Sequence, residues 1–327
     1  MRRLLSALVI CAALGLAVAI GAWIWLQDRV QTAGPLTSET VVVIEAGSGL
    51  NRIAAQLAAS GVIESDFVFR IHARLSGYAA QLKTGEYSFS SGISTGGVLA
   101  KIVAHDVVVR FVTVPEGLTS AQIATLLTQT EGLSGDVPKD IENGTLLPET
   151  YGFSLGESRA ALVVRMERAL TRTLDDLWLA RAPDLPFDSP DEALILASIV
   201  EKETAVESER GRVAAVFVNR LRRGMRLQSD PTVAFGVDPT GPLGRPLRRS
   251  DLDTPTPYNT YVIGGLPPGP ICHPGRASLL AVLNPADTKD LYFVADGTGG
   301  HAFAETLAEH NRNVARWRRI ERARNTD

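Results

Sequence analysis

Residues Asp191–Gly236 have the sequence DEALILASIVEKETAVESERGRVAAVFVNRLRRGMRLQSDPTVAFG, and the rest of the chain is organised around them. The apolar run 194–200 predicts a buried helix, which ends abruptly at Glu201, Lys202 and Glu203. A helix of this kind can deliver a carboxyl group into a pocket, where removal from water makes it a usable general acid. Glu201 is the candidate catalytic residue.

The two glutamates at the end of this helix are predicted to have different roles. Helix geometry separates Glu201 and Glu203 by about 200°, so they cannot serve the same cavity. The face of Glu201 carries small residues such as Ala197 and Ser198, which leave room for a ligand. Glu203 follows bulkier side chains such as Ile199, which favours packing or pairing with an arginine. The alternative is that the helix simply leaves its apolar environment at Glu201.

The N-terminus predicts a membrane anchor. The apolar run from Leu4 to Leu26 has roughly the 20 residues needed to cross a bilayer as a helix. Arg2 and Arg3 precede it, and Trp23 and Trp25 lie at its far end, where an aromatic belt is expected. The positive-inside rule then predicts a cytoplasmic N-terminus with the remainder of the chain outside, in the periplasm or its equivalent.

A cleaved signal peptide is the alternative for this segment, because Ala17-Val18-Ala19 resembles a cleavage site. The run stays apolar well beyond that point, which favours an uncleaved anchor. Cys11 would lie in the membrane and Cys272 outside it, so the two cysteines are not expected to pair.

Patterning predicts a mixed α+β chain in four parts. Residues 1–27 form the cytoplasmic start and anchor, 28–40 a linker, 41–106 a small α/β subdomain and 107–320 a larger α+β domain. The small subdomain begins with a strand, followed by two helices, a second strand and a third helix.

Local signals in the larger domain predict individual elements. Ser189 followed by Glu192 forms a capping box at the start of the apolar helix. The Pro- and Gly-rich segment 237–274 predicts surface loop, and 291–303 a β-hairpin.

Composition excludes several classes of function. A formal charge of −3 with 21% charged residues does not indicate a nucleic-acid-binding protein. The five histidines show no metal-ligand spacing, and no phosphate loop or dinucleotide fingerprint is present. We therefore expect neither a metal nor another cofactor.

Several long motifs resemble the YceG-like endolytic murein transglycosylase family. The matching segments are LASIVEKETAVESER (Leu196–Arg210), VFVNRLRRGMRLQSDPTVAFG (Val216–Gly236), TPYNTYVIGGLPPGPICHPG (Thr256–Gly275) and LYFVADGTGGHAF (Leu291–Phe303). The similarity is weaker over 40–106, where the family has a LysM-like, peptidoglycan-binding subdomain. The resemblance implies a single-pass protein of the inner membrane with its bulk outside.

The resemblance also implies an activity. The expected reaction cleaves the β-1,4 bond between N-acetylmuramic acid and N-acetylglucosamine within a nascent glycan strand, which leaves 1,6-anhydro ends and terminates elongation. The family's catalytic glutamate corresponds to Glu201, the first Glu of VEKET. One carboxyl group suffices if the sugar's own 6-hydroxyl attacks, whereas an ordinary glycosidase needs two. Peptidoglycan synthases are implied as possible partners.

The matched segments supply neutral hydrogen-bonding groups for the substrate. The candidate binding residues are Asn219, Gln228, Ser229, Asp230, Tyr258, Asn259 and Thr260. Asp230 could instead cap the element that begins at Pro231. Arg220 and Lys202 could meet substrate carboxylates, or form salt bridges with Glu203 or Asp230.

Two rival functions stay open at this point. One is a muramidase-type hydrolase with Glu201 as acid and Asp230 as base. The other is a non-catalytic protein that holds glycan strands beside a synthase.

Overall fold

The structure is a computed structural model that describes residues 2–324, with side chains from residue 5 onward. The side chains of Arg2 and Arg3, on which the predicted orientation depends, lie outside the described residues. The fold is mixed α+β, as predicted. Its elements are α1 (Arg2–Gln31), β1 (Thr40–Ile44), α2 (Leu50–Ala59), α3 (Asp66–Leu75), β2 (Gly85–Phe89), α4 (Thr95–Ala104), β3 (Val109–Thr113), α5 (Ser120–Gln129), β4 (Thr150–Ser154), α6 (Arg159–Leu179), α7 (Pro190–Glu203), α8 (Glu207–Arg222), α9 (Asp230–Val237), α10 (Arg249–Asp253), α11 (Arg276–Leu283), β5 (Tyr292–Ala295), β6 (His301–Ala304) and α12 (Leu307–Arg324).

The chain divides into two compact units. The first comprises Met1–Arg110 with Gly152–Gly156, and the second comprises Phe111–Tyr151 with Glu157–Asp327. The two strands predicted within residues 41–106 are confirmed as the antiparallel pair β1 and β2. Helices α2, α3 and α4 form one core with this pair, in which Phe69 and Tyr87 are fully buried.

Helix α1 is long enough and apolar enough to cross a membrane. A signal sequence would meet the same two criteria. Large apolar side chains from Leu5 to Trp25 are exposed along it. Near its C-terminal end, Leu26 and Val30 become buried against Val68 of α3. The end of α1 is therefore part of the first unit's packing.

The second unit is built around α7, which packs against α6, α8 and α11. The predicted capping box is confirmed, because Ser189 Oγ accepts from the Glu192 N–H while the Glu192 carboxylate accepts from the Ser189 N–H. Every residue from 196 to 200 is buried. A helix that is apolar on all sides is covered on all sides, which leaves its polar C-terminal end as the place where it can meet solvent.

The predicted surface loop 237–274 is corrected in two respects. It contains the short helix α10, and parts of it are fully buried, including Asn259 and His273. Proline and glycine density indicated exposure, but the buried polar groups have internal partners. His273 Nδ1 accepts from the Leu146 N–H at 3.0 Å, and its Nε2 lies 3.0 Å from Ser120 Oγ. Burial lowers the pKa of His273 to about 4, so this imidazole is neutral.

The predicted hairpin is confirmed as the antiparallel pair β5 and β6, with Phe293 opposite Phe303. Phe293 meets Phe217 of α8 edge-on, with ring centroids 5.9 Å apart. Helix α12 packs on both strands. This arrangement brings β5 and α12 beside the C-terminal end of α7.

Candidate active site

The last residue of α7, Glu203, lines a cavity of about 490 Å³ in the second unit. The segment between α8 and α9, strand β5 and helix α12 supply most of the other walls. The lining residues are Glu203, Phe217, Arg220, Leu227, Gln228, Asp230, Tyr261, Tyr292, Phe293, Val294, Leu307 and His310.

The carboxyl group of Glu203 is held in an environment that favours its neutral form. Burial, and then the charge of the nearby Asp230 carboxylate, raise the pKa of Glu203 to about 7. Ser229 Oγ donates to Glu203 Oε1 at 2.5 Å, and this bond opposes the rise, as do the charges of His301 and Arg220. A carboxyl group with a pKa near neutrality can both donate and accept a proton at ordinary pH.

Asp230 supplies a second carboxylate to the same cavity. The Tyr261 hydroxyl donates to Asp230 Oδ1 at 2.6 Å, which orients this carboxylate. Burial, together with this hydrogen bond, raises the pKa of Tyr261. Asp230 also lines a second cavity of about 340 Å³, whose walls include Lys202 and Phe235. It therefore borders both cavities.

Arg220 supplies a fixed positive charge at the cavity wall. Its Nε donates to the Leu291 carbonyl at 2.7 Å, and its Nη1 donates to the Leu227 carbonyl at 2.6 Å. Within the described residues it forms no ion pair, so neither salt bridge considered for it is present. Burial lowers the pKa of Arg220.

Three of the predicted binding residues meet around Glu203, and a fourth supports them. Gln228 has a left-handed backbone with φ +53°, a conformation that costs a non-glycine residue about 1 kcal/mol or more. Its N–H donates to the Thr260 carbonyl at 3.1 Å, and the Ser229 N–H donates to Thr260 Oγ1 at 2.9 Å. Thr260 therefore fixes the turn that presents Gln228 and Asp230 to the cavity and Ser229 to the Glu203 carboxylate.

The remaining predicted binding residues lie elsewhere, because none of them is among the described residues that line this cavity. Asn219 Nδ2 donates to the carbonyls of Thr288 and Asp290, at 2.8 and 3.1 Å. Asn259 is fully buried, and its amide donates to three carbonyls between residues 251 and 254. Tyr258 packs edge-on against Phe235, with ring centroids 4.8 Å apart. All three stabilise the surrounding chain.

Glu201 lies on the other face of α7. Its Oε2 accepts from the Gly275 N–H at 3.0 Å, at the N-terminus of α11. Gly275 has no room for a Cβ, which would overlap the Glu116 carboxylate. Burial, and then the charge of Glu201, raise the pKa of Glu116. The space that sequence analysis reserved for a ligand is occupied by the chain, because the Ile271 N–H donates to Ser198 Oγ at 3.0 Å.

Three of the hydrogen-bonding side chains that line the cavity were not predicted as site residues. Tyr261 lies inside the quoted TPYNTY cluster and Tyr292 inside the quoted LYF motif, so both had a sequence signal. His310 stacks on Tyr292 with ring centroids 5.1 Å apart, and nothing in the pattern of α12 distinguished it.

The described residues provide neither an accessible thiol nor a group of metal ligands at this site. Burial raises the pKa of Cys272, whose Sγ donates to the Ser198 carbonyl at 3.3 Å. Among the described residues, no group of three or more His, Cys, Asp and Glu side chains could hold a metal ion.

Residues 42–316 match the YceG-like family, and the chain belongs to this family. It is 28% identical over 324 residues to the endolytic murein transglycosylase of Bacillus subtilis (strain 168), with 89% of each chain covered. The same identity is found over 323 residues with the protein of that name from Streptococcus pneumoniae (strain D39), of which the chain spans 57%.

A solved structure shows the same fold. The crystal structure of a YceG-like protein from Listeria monocytogenes has 29% sequence identity and a TM-score of 0.53. The alignment covers 84% of this chain and 98% of that one.

Proposed function

We propose that the protein is a membrane-anchored endolytic murein transglycosylase. It cleaves the β-1,4 bond between N-acetylmuramic acid and N-acetylglucosamine inside nascent glycan strands, leaves 1,6-anhydro ends and so terminates strand elongation. The names of its relatives support the general activity. The observation that carries the chemistry is the cavity in which Glu203 holds a carboxyl group with a pKa of about 7.

The geometry favours Glu203 over Glu201 as the catalytic residue. Glu203 lines the cavity, whereas the Glu201 carboxylate is engaged by the Gly275 N–H at the start of α11. A carboxylate at that position stabilises a helix through its N-terminal N–H groups and dipole. Glu201 is then a structural residue, and the first Glu of VEKET is not the acid.

One carboxyl group can complete the reaction. Glu203 donates its proton to the glycosidic oxygen while the bond from that oxygen to C1 of the muramic acid breaks. The 6-hydroxyl of the same sugar attacks C1, and the Glu203 carboxylate accepts the proton that this hydroxyl loses. The acid is regenerated and no water is consumed.

The other side chains assist this step. The transition state has oxocarbenium character, and Asp230, oriented by Tyr261, places negative charge at the cavity where positive charge develops. Gln228 offers a neutral amide for sugar hydroxyl or N-acetyl groups.

Asp230 also supports a second candidate function. Two carboxyl groups at one cavity are what a hydrolase uses, with Glu203 as acid and Asp230 as the base that activates water. The product separates the two, because hydrolysis leaves reducing ends. A non-catalytic strand-binding protein would yield no fragments at all.

The remaining parts of the proposal concern location. Helix α1 anchors the chain in the inner membrane with its N-terminus in the cytoplasm and the catalytic unit in the periplasm, and its length and composition support the anchor. The β1–α2–α3–β2 order, with β1 and β2 antiparallel, supports a LysM-like subdomain that contacts peptidoglycan. Peptidoglycan synthases are the proposed partners.

A matched pair of variants tests the catalytic assignment. Full-length wild type, Glu203→Gln and Glu201→Gln are incubated with purified sacculi, and released fragments are measured over time. We expect Glu203→Gln to lose about 10²–10⁴-fold in rate, the usual contribution of a general acid. Glu201→Gln should retain activity at temperatures where it is folded. The reverse result would return the catalytic role to Glu201.

A further inference from the structure

Helix α3 presents an apolar face that the first unit does not cover. Phe67, Ile71 and Leu75 recur at four-residue spacing and share one side of the helix. Phe67 is 54% exposed and Leu75 62% exposed. The opposite side carries Phe69 and Ala73, which are fully buried in the core.

This face continues the apolar surface of α1. A groove of about 300 Å³ is lined by side chains between Ala19 and Leu26 of α1 and by Phe67, Ile71 and Leu75 of α3. At about 1.5 Å per residue, the α1 side of the groove spans about 10 Å. The apolar run ends near Leu26, so the groove lies within the last 10 Å or so of a membrane span, the depth at which interfacial helices bury their apolar face.

Polarity changes along α1 in the same order as it does across a bilayer surface. The next cavity along the helix, of about 280 Å³, is lined by Arg29 and Thr32 of α1 together with Glu64 and Ser65. Charged and hydroxyl-bearing side chains therefore join the apolar Trp25 and Val68 in the cavity wall within about two helical turns of α1. A bilayer changes in the same order, from the apolar acyl region to the polar headgroup region.

The charges on α3 complement an anionic lipid surface. Arg70 and Arg74 each precede an apolar residue of the exposed face and flank it. Arg70 pairs with Asp66 at 2.9 Å, whereas exposed Arg74 forms no ion pair within the described residues. Basic residues beside an exposed apolar face are typical of helices that lie on anionic membranes.

We infer that α3 is a second membrane contact, which lies in the bilayer surface beside the point where α1 leaves it. Phe67, Ile71 and Leu75 enter the boundary of the acyl chains, and Arg74 meets lipid phosphates. This inference rests on the membrane anchoring proposed above. The first unit is then held against the bilayer by two helices, and its orientation to the membrane is fixed.

Site-directed spin labelling tests this contact in the full-length protein, reconstituted in vesicles of phosphatidylethanolamine and phosphatidylglycerol. Cys11 is replaced by alanine, and buried Cys272 is kept. Single cysteines are introduced as Phe67→Cys on α3, Leu16→Cys in the span and Ala59→Cys on the exposed side of α2. Collision with oxygen reports lipid, and collision with a water-soluble nickel chelate reports solvent.

We expect the label at position 67 to be accessible to oxygen and shielded from nickel, as at position 16, while the label at 59 meets nickel. Nickel access at 67 with lipid immersion at 16 would overturn the α3 contact and leave the anchor intact. Solvent exposure at 16, or failure of the chain to float with vesicles, would overturn both. Arg74→Glu should raise nickel access at 67, and an unchanged value would contradict the lipid-phosphate contact.

Discussion

The Glu203→Gln variant distinguishes the free-energy cost of burying an ionisable carboxyl group from the role of that group in catalysis. In the folded protein burial raises the pKa of Glu203 from its ordinary 4.5 to about 7. A raised carboxyl pKa means that folding favours the protonated form. The contribution of this carboxyl group to the free energy of unfolding is therefore fully present below about pH 4.5 and is lost as the pH rises through about 7. Glutamine has the shape of the neutral acid and cannot ionise.

The expected change in the free energy of unfolding follows from the difference between these two pKa values. Each pKa unit corresponds to about 1.4 kcal/mol, and an allowance for solvent that reaches the cavity leaves about 2–3 kcal/mol above neutrality. Ser229 can still donate to the amide oxygen of glutamine, so the 2.5 Å contact has a replacement. Glu203→Gln should be more stable than wild type at pH 8, by several degrees in Tm, and nearly equal to it at pH 4.5.

Thermal unfolding of the full-length proteins in detergent, scanned from pH 4.5 to 8.5, measures this difference. Glu201→Gln is the matched control. It weakens the charge at the N-terminus of α11 and should lose about 1 kcal/mol at pH 8. A Glu203→Gln variant that is less stable than wild type at every pH would refute the reasoning, because it would identify Glu203 as a structural charge.

The remaining predictions concern the neighbours of the two glutamates. Asp230→Asn removes a charge that raises the pKa of Glu203, whereas Ser229→Ala removes a hydrogen bond that lowers it. The alkaline limb of the pH–rate profile should move to lower pH in the first variant and to higher pH in the second; a shift in the same direction would contradict this electrostatic account. Gly275→Ala forces the flexible Glu116 side chain to move away from its present position and should lose about 1 kcal/mol in thermal unfolding. Gly264→Ala, which meets nothing within 4 Å, should be close to neutral, and equal losses in both would contradict the packing argument.

Local signals predicted the elements that carry the site. The capping box of α7 and the β5–β6 hairpin depend on residues only a few positions apart, and both are confirmed. Periodicity also placed Glu201 and Glu203 on different faces of α7, and their contacts lie in different places.

The sequence could not show which face of α7 would stay open. Gly275, more than seventy residues later, donates its N–H to the Glu201 carboxylate, whereas Gln228 and Tyr292 line a cavity beside Glu203. Small side chains near Glu201 indicated room for a ligand, but the chain segment that contains Ile271 occupies that space. Such long-range cover has no local signature.

The same limit applies to polar side chains. Asn219 and Asn259 have the chemistry of sugar-binding groups, yet both bind backbone carbonyls of this chain. Residue type shows what a side chain can bind. The partner it finds depends on which buried backbone groups lack one, and this is decided by tertiary packing.

The most direct test of the proposed function is the chemistry of the new glycan ends. Sacculi are digested by the full-length protein in water enriched in oxygen-18, and the fragments are analysed by mass spectrometry. We expect 1,6-anhydro ends, lighter by one water than reducing ends and free of the heavy isotope, and none from Glu203→Gln. Reducing ends that carry oxygen-18 would contradict the account, because they would show that water, not the 6-hydroxyl, attacks C1.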